Sequence, residues 1–307
     1  MSFGGLSLRD IEYVVAIADA GGFTTAAEQC GVSQPSLSAQ VRKVEAKLGV
    51  MLFERVGRDV RITASGAGLI EQARAVLGEA RRLFDLARTL DDPLAGPLRL
   101  GVIATLGPYL VPHILGPLRS AFPDLQLVLR EGLTTDLSGL LIAGQIDCVL
   151  LSLPVEDERL AEAAILFEPF VGLCSTRSAL ANRKSLRIAD LDVEGLMLMD
   201  EGHCIRDQAL ALCARPSVAR DHRHAASIET LRHLVAAGSG HALLPGLAAR
   251  PEDPLLEAHL RYIELEDDAV GRTIGLAWRR TDVRRPSFEA LAGMLRGVTI
   301  PGTKPLP

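Results

Sequence analysis

The stretch from Phe23 to Leu48 constrains the fold of this chain more than any other part of it. Two helical patterns flank Gly31, and the second opens with Ser33 as a cap and Pro35 in its first turn, where proline's missing N–H removes no helical hydrogen bond. Thr24 is the expected cap of the first helix. A helix, a glycine turn and a second capped helix predict a helix-turn-helix. In the second helix a four-three-four spacing directs four apolar residues towards a core, namely Leu37, Val41, Val44 and Leu48.

The outward face of the second helix carries amide, hydroxyl and cationic groups, which read base edges and contact phosphates in the DNA major groove. The expected DNA-binding residues of this helix are Ser33, Gln34, Pro35, Ser36, Ser38, Gln40 and Arg42. The segments 52–56 and 60–62 flank Gly57-Arg58-Asp59 and predict a hairpin or wing. Arg55, Arg58 and Arg61 are its expected phosphate contacts.

The charge of the chain does not by itself favour DNA, since 33 basic and 38 acidic residues give a net charge of −5. Binding must therefore come from a local patch. From Arg42 to Arg61 there are six basic and three acidic residues, although residues 1–66 contain seven of each. The alternative is a small helical domain with a solvated polar face. The order of turn glycine, serine cap, first-turn proline and basic hairpin favours DNA binding.

One long helix is predicted from about Gly66 to Leu90, where Asp91-Asp92-Pro93 ends it. It has three lanes with a seven-residue repeat: Leu69, Val76, Leu83 and Leu90; Ala73, Ala80 and Ala87; Ile70, Leu77 and Phe84. A bulky lane beside an alanine lane favours close pairing with a second copy, and dimers read two DNA half-sites. The alternative is a helix packed on its own domain.

After this helix, strand-like and helical segments alternate, which predicts an α/β domain with a largely parallel sheet. About 210 residues remain, enough for two lobes with a cleft between them. We expect three domains: a DNA-binding domain at 1–66, a dimerisation helix at 67–92 and an effector domain at 93–307. Its first lobe would span about 97–166 and 272–307, and its second lobe 167–271.

The sequence also indicates a compartment. No apolar run reaches the ~20 residues of a bilayer span, and acids interrupt the first 19 residues at Asp10, Glu12 and Asp19. We therefore expect a cytoplasmic protein without membrane contact.

The chain has five cysteines, an odd and small number, which argues against a disulfide framework. In a reducing compartment a functional cysteine is catalytic or redox-sensing.

One cysteine stands out because Cys204 follows Gly202-His203 at the expected start of a helix that runs to about Cys213. The positive helix end and the neighbouring His203 and Arg206 all favour the thiolate, the form that attacks an oxidant. Nine residues of helix separate the two cysteine α-carbons by ~13.5 Å at about 1.5 Å per residue. A disulfide tolerates about 7 Å or less, so the pair can join only if the helix unfolds. The alternative is two ordinary small residues.

Several motifs together resemble the LysR-type transcriptional regulators. The resemblance covers essentially the whole chain and implies a winged helix-turn-helix, a long dimerisation helix and a two-lobed α/β effector domain like a periplasmic binding protein. It also implies a homodimer or homotetramer on double-stranded promoter DNA, and recruitment of RNA polymerase. The motifs are Phe23-Thr24-Thr25-Ala26-Ala27-Glu28, Val32-Ser33-Gln34-Pro35-Ser36-Leu37-Ser38, Leu52-Phe53-Glu54-Arg55 and Thr63-Ala64-Ser65-Gly66.

Within that family, Gly202-His203-Cys204 followed by Arg206-Asp207-Gln208-Ala209 and a later Cys213 is similar to the signature of the peroxide-sensing branch. The similarity implies that Cys204 is the peroxidatic cysteine and Cys213 the resolving one. It implies a peroxide pocket formed by Thr105, Thr134, His203, Arg206, Asp207 and Arg272. It further implies hydrogen peroxide as the signal, antioxidant genes as targets and a thioredoxin- or glutaredoxin-type protein as reductant.

Two other functions fit parts of the sequence. One is a LysR-type regulator that binds a small organic ligand in the interlobe cleft, with incidental cysteines. The other is a thiol peroxidase using Cys204, in which the DNA-binding segment has no role. We expect no enzyme activity and no cofactor. We also expect no metal, because the histidines lack metal-binding spacings.

Overall fold

The computed structural model describes residues 5–56, 59–88, 94–191, 195–213, 224–249, 256, 258–267 and 269–306. The chain divides into two compact units. The first unit comprises Met1–Asp91 together with Ile142–Gln145, and the second comprises Asp92–Leu141 and Ile146–Pro307. The predicted boundary after residue 66 lies within the first unit, and the predicted boundary after residue 92 lies next to the start of the second unit. Both stay predictions.

The first unit is a helix-turn-helix followed by a hairpin and a long helix. Its elements are α1 (Leu8–Ala20), α2 (Phe23–Cys30), α3 (Gln34–Leu48), β1 (Phe53–Val56), β2 (Asp59–Ile62) and α4 (Ala64–Arg88). Gly31 ends α2 at a φ of 66°, a left-handed conformation that glycine adopts without strain. The Ser33 hydroxyl accepts a hydrogen bond from the Ser36 N–H, as predicted. Thr24, however, lies within α2, whose N-cap is Gly22, so the predicted cap is wrong.

The core of the first unit contains three of the four residues expected there. Leu37, Val41 and Val44 are buried, whereas Leu48 is 39% exposed. Leu48 is the last residue of α3, where the chain turns at Gly49 and the helix no longer faces its neighbours. The hairpin pairs antiparallel, with Phe53 opposite Ile62.

The lanes of α4 separate by exposure. Ile70 and Leu77 are buried, and Ile70 belongs to the core of this unit. Leu69, Val76 and Leu83 are exposed, as is Phe84 at 65%. The Ile70 lane therefore packs into the core of its own unit at its N-terminal end. The Leu69 lane stays exposed and is available to contact another surface. Leu90 lies outside the described residues, and so does the side chain of Ala87.

The second unit contains a nine-stranded mixed sheet with helices. Its helices are α5 (Gly107–Ala121), α6 (Thr134–Ile142), α7 (Cys204–Cys213), α8 (Ile228–Ala236) and α9 (Arg285–Arg296). Its strands are β3 (Gly96–Ile103), β4 (Leu125–Gly132), β5 (Cys148–Leu153), β6 (Leu160–Ser175), β7 (Ser185–Leu186), β8 (Leu198–Met199), β9 (His224–Ala225), β10 (His241–Pro245), β11 (Leu260–Leu265), β12 (Gly271–Arg279) and β13 (Lys304–Pro305). The short β8 and β9 form a separate parallel pair.

The expectation of a largely parallel sheet is wrong. The strand order is β4-β3-β5-β12-β6-β11-β7, with β10 and β13 also paired to β6. Only β3 with β4 and β5, and β11 with β7, run parallel among the described strands of this sheet. The other pairs are antiparallel: β6 with β10, β11, β12 and β13, and β12 with β5. The alternation of strands and helices along the chain therefore predicted the strand direction correctly only for β3, β4 and β5.

The long strand β6 serves both halves of the second unit. From Leu160 to Pro169 it pairs with β12, and from Phe170 to Ser175 it pairs with β10 and β11. One apolar core lies around the second half of β6 and includes Phe170, Leu173 and Ile205. Glu168 and Arg272 face each other in the register where β6 changes partners. None of the described helices is long and apolar enough to cross a bilayer.

Candidate functional site

Cys204 is the first residue of α7 and carries a partly exposed free thiol. The turn before it contains Gly202 at a φ of +89°, where a Cβ would lie 2.9 Å from Leu133 Cδ1. A side chain at this position would be strained and would collide with Leu133. The turn therefore lies against the residue that precedes Thr134, the first residue of α6. Cys204 and Thr134, two of the expected pocket residues, are the first residues of α7 and α6. The residues shortly before these helices, Gly202 and Leu133, lie against each other.

A buried arginine from β12 reaches the sulfur. Arg272 Nη1 donates to Cys204 Sγ at 3.6 Å and to Thr105 Oγ1 at 3.0 Å. Arg272 Nη2 donates to the Thr105 carbonyl oxygen at 3.1 Å. Thr105, Arg272 and Cys204 are far apart in sequence, and the structure brings these three predicted residues together. We call the set Thr105, Glu168, Cys204 and Arg272 the sensor cluster.

Glu168 holds this arginine from the other side. Its Oε2 accepts from Arg272 Nε at 2.7 Å, its Oε1 accepts from the Leu247 N–H at 3.0 Å, and both charged side chains are fully buried. Burial alone would lower the pKa of Arg272, but the Glu168 carboxylate and Cys204 outweigh it and raise that pKa. The guanidinium is therefore a permanent cation beside the sulfur.

A second polar contact fixes the first turn of α7. Gln208 Nε2 donates to Ser152 Oγ of β5 at 2.8 Å, and Ser152 is buried. Gln208 is four residues after Cys204 and therefore lies on the same side of the helix. This bond ties the segment that carries the thiol to the β5 and β12 part of the sheet.

His203, Arg206 and Asp207 surround the thiol in sequence but have other surroundings in space. Burial lowers the pKa of His203, so its neutral form prevails at neutral pH. Arg206 Nη1 donates to the Met199 carbonyl at 3.1 Å and lies 3.0 Å from His224 Nδ1. Asp207 is exposed. Within the described residues, the cation that contacts the sulfur is thus Arg272.

Cys213 is the last residue of α7, and its side chain lies outside the described part of the chain. The continuous helix keeps the two cysteine α-carbons ~13.5 Å apart at about 1.5 Å per residue. A partly exposed thiol at a helix N-terminus, beside a buried cation, is accessible to a small oxidant and lies next to two sources of positive charge. Such a thiol cannot reach Cys213 while the helix is intact.

The predicted DNA-contacting face is displayed on α3 of the first unit. Ser33, Pro35, Ser36 and Arg42 are exposed, and Gln34, Ser38 and Gln40 are partly exposed. Gln34 Nε2 donates to Ser38 Oγ at 3.0 Å. A groove of about 850 Å³ runs between this helix and the hairpin, lined among others by Gln34, Ser38 and Arg42. Arg58 and the side chain of Arg55 lie outside the described residues, and Arg61 is exposed.

Sequence reasoning missed Glu168, Gln208 and Ser152. Glu168 had a usable signal, because it is a single acid inside the apolar run from Ala163 to Cys174. A charged residue in a buried strand requires a partner. Gln208 stood in the motif that resembles the peroxide-sensing branch, but no role was assigned to it. Ser152 had no signal, since a serine in a strand is unremarkable on its own.

Comparison with known proteins gives the class. Residues 8–67 match the bacterial regulatory helix-turn-helix of the lysR family, and residues 91–299 match the LysR substrate binding domain. The chain therefore belongs to the LysR family of DNA-binding transcriptional regulators.

The similarity extends to individual members. The chain is 42% identical over 292 residues to the DNA-binding transcriptional dual regulator OxyR of Escherichia coli, covering 95% of each chain. A full-length OxyR from Pseudomonas aeruginosa with a cysteine-to-aspartate substitution matches with a TM-score of 0.74 and 34% identity, covering 96% of this chain and 99% of that one. A peroxide-bound cysteine-to-serine mutant of Corynebacterium glutamicum OxyR matches with a TM-score of 0.63 and 32% identity, covering 94% and 91%.

Proposed function

We propose that this chain is a transcriptional regulator that senses hydrogen peroxide through Cys204 and controls antioxidant genes. The observation that carries the proposal is the contact of the buried Arg272 guanidinium with a partly exposed thiol at the start of α7. Its similarity to OxyR proteins, one of them bound to hydrogen peroxide, supports the same conclusion.

The first step is oxidation of one sulfur. The Cys204 thiolate attacks a peroxide oxygen, an S–O bond forms and the O–O bond breaks. The sulfur is oxidised to sulfenic acid, and the leaving hydroxide takes up a proton to become water. The Arg272 guanidinium and the Thr105 hydroxyl lie where charge develops on sulfur and oxygen, so they stabilise the reaction. Thr134 is proposed as a second hydroxyl of the pocket, with His203, Arg206 and Asp207 around it.

The second step converts oxidation into a change of shape. The Cys213 thiolate attacks the sulfenic sulfur of Cys204, the S–S bond forms, and hydroxide leaves and is protonated to water. Because α7 separates the cysteines, this step requires the helix to unfold and the Gln208–Ser152 bond to break. The altered second unit then changes how a dimer or tetramer holds its promoter.

The remaining parts of the proposal concern partners. The α3 face and the hairpin would bind an interrupted palindromic promoter, with the Leu69 lane of α4 joining two copies. The altered assembly recruits RNA polymerase. A thioredoxin- or glutaredoxin-type dithiol reduces the Cys204–Cys213 disulfide and is itself oxidised, which fits a reducing cytoplasm. The reaction is a switch that each copy performs once per signal, and no metal or cofactor takes part.

The test is a promoter footprint of the full-length protein with and without peroxide. We expect the protected region to change with the wild-type chain and to stay constant with Cys204→Ser. Cys30→Ser is the matched control, because Cys30 is also a partly exposed free thiol but lies at the end of α2. A footprint that still changes in Cys204→Ser would overturn the proposal and favour a bound organic ligand. Sustained peroxide turnover with a dithiol would instead favour a peroxidase.

A further inference from the structure

We infer that Glu168 is a positioning residue for the peroxide reaction: its buried carboxylate aims the Arg272 guanidinium at the Cys204 sulfur and limits the positive charge that the sulfur experiences. The inference rests on the proposed function. Glu168 does not act by touching the sulfur, and its effect passes through Arg272.

The aim of the arginine follows from the planarity of its guanidinium. Nε is fixed by Glu168 at 2.7 Å and Nη2 by the Thr105 carbonyl at 3.1 Å. Once two nitrogens of a planar group are held, the direction of the third is determined. That third nitrogen, Nη1, is the one that donates to Cys204 Sγ at 3.6 Å. Without Glu168, Nε loses its partner and the guanidinium is held only from the Thr105 side, by the bonds of Nη1 and Nη2.

The carboxylate is itself held rigidly. Its second oxygen accepts the Leu247 N–H at 3.0 Å, from the 3-10 turn Gly246–Ala249 that follows β10. A Cβ on Gly246 would lie 2.6 Å from the Gly302 carbonyl oxygen and 2.9 Å from that of Pro169, so this turn is packed tightly between β6 and the C-terminal segment. Glu168 is therefore anchored by the N–H of a turn that is itself packed against Pro169 and Gly302.

The carboxylate also balances charge. Arg272 and Glu168 together are neutral, so the sulfur faces a cation whose charge is partly cancelled behind it. Other charged or titratable groups near the thiol do not alter this balance in the same way: Arg206 is bonded to Met199 and His224, Glu201 is 92% exposed, and Asp207 is exposed. The remaining groups of the adjoining turn are Asp200, which is exposed, and His203, whose pKa burial lowers.

The experiment measures the pH dependence of the first oxidation step. Full-length protein with Cys213→Ser stops at the sulfenic acid, and loss of the Cys204 thiol is followed by rapid mixing with hydrogen peroxide and mass spectrometry from pH 5 to 9. For Glu168→Gln we expect the pH midpoint of the rate to fall by roughly one unit, because a nearby negative charge is removed. We expect the plateau rate to fall about tenfold, because the single amide oxygen of glutamine replaces two carboxylate oxygens that accept from Arg272 Nε and the Leu247 N–H, so Arg272 is held less firmly.

A second variant separates charge from geometry and remains informative if Glu168→Gln does not fold. Glu168→Asp keeps the carboxylate but shortens its reach by one methylene. It should keep the parental midpoint and react about threefold to tenfold more slowly. The matched control is Asp282→Asn, which removes another buried carboxylate that pairs with arginines of the second unit, Arg279 and Arg284. It should lower thermal stability and leave the rate profile parental.

The outcomes are distinct. A Glu168→Gln profile with parental midpoint and plateau, or a Glu168→Asp rate equal to the parent, overturns this inference while the proposed function stands. A parent whose Cys204 does not react with peroxide overturns the proposed function and this inference with it. The shifted midpoint in Glu168→Gln together with the unshifted, slower Glu168→Asp supports the inference.

Discussion

The second unit contains two buried arginine clusters that look alike but have different neighbours. In the sensor cluster, Arg272 contacts a carboxylate, a threonine and a sulfur. In the other, which we call the structural cluster (Asp147, Arg279, Asp282 and Arg284), Arg284 pairs with Asp147 at 2.7 Å and Arg279 with Asp282 at 2.7 Å. Arg279 also donates to the Ile146 carbonyl at 2.8 Å.

The difference lies in whether a partner can change its charge. The carboxylates and carbonyls of the structural cluster undergo no redox change, and their arginines join β5, β12 and the start of α9. Under the proposed function, the sulfur of Cys204 changes between reduced and oxidised forms. A buried arginine beside such a group experiences each change, and therefore one of two similar ion pairs is suited to sensing.

The most direct test of the difference between the two clusters is to remove one arginine from each. Arg272→Met and Arg279→Met each leave buried carboxylates short of a partner, so each should lose about 3–5 kcal/mol of stability in urea unfolding. Only Arg272→Met should also slow Cys204 oxidation, by about 100-fold, since it removes a donor to the reacting atoms. Equal oxidation rates in the two variants would erase the distinction between the clusters.

A smaller effect is expected from Thr105→Val. The substitution removes the Oγ1 acceptor of Arg272 Nη1 but leaves the Thr105 carbonyl, which still binds Nη2. The cost should be about threefold to tenfold in the oxidation rate and about 1 kcal/mol in stability. Stopped-flow oxidation and urea unfolding measure the two quantities. Ser287→Ala, a buried hydroxyl on α9 near the structural cluster, is the control and should leave the rate unchanged.

The smallest effect concerns His203 and the pH dependence of stability. Burial lowers the pKa of His203 in the folded state, so the unfolded chain binds more protons as pH falls below about 6.5. Its contribution to stability is therefore present above that pH and is lost on acidification towards the lowered folded pKa. In His203→Gln the loss of stability between pH 7.5 and 5.5 should be smaller than in the wild-type chain. Unfolding curves at both pH values test this, and an unchanged loss would contradict it.

Whether a feature of the fold or the site could be predicted depends on how far apart in sequence its contacting residues are. The helix-turn-helix rests on Gly31, Ser33 and Pro35, whose effects act within a few residues, so their pattern predicted α2 and α3. The hairpin was predicted equally locally, from the segments that flank residues 57–59. Thr24 failed as a cap because Gly22 already takes the extended conformation that precedes the helix. Leu48 failed as core because periodicity does not report where the helix end leaves its neighbours.

The sensor cluster was only partly predictable. Cys204 was singled out by local reasoning, and Thr105 and Arg272 by resemblance. Local reasoning assigned the activating charge to the helix end, His203 and Arg206, but in three dimensions Arg206 contacts Met199, His224 and Glu201 instead. Glu168 and Arg272 are 104 residues apart, and nothing in either segment indicates the other. Antiparallel pairing of β6 with β12 creates this contact. The direction of these strands was the part of the fold that the alternation of segments mispredicted.

The placement of Cys204 and Cys213 at opposite ends of one continuous helix has a consequence for timing. Under the proposed function, the oxidised sulfur must wait for α7 to open before it is captured, so the lifetime of the helix acts as a delay. A short pulse of oxidant ends before the delay has passed, and a reductant can erase it. A prolonged exposure outlasts the delay and leads to the disulfide and the unfolded helix. The chain thereby distinguishes the duration of a stress as well as its presence.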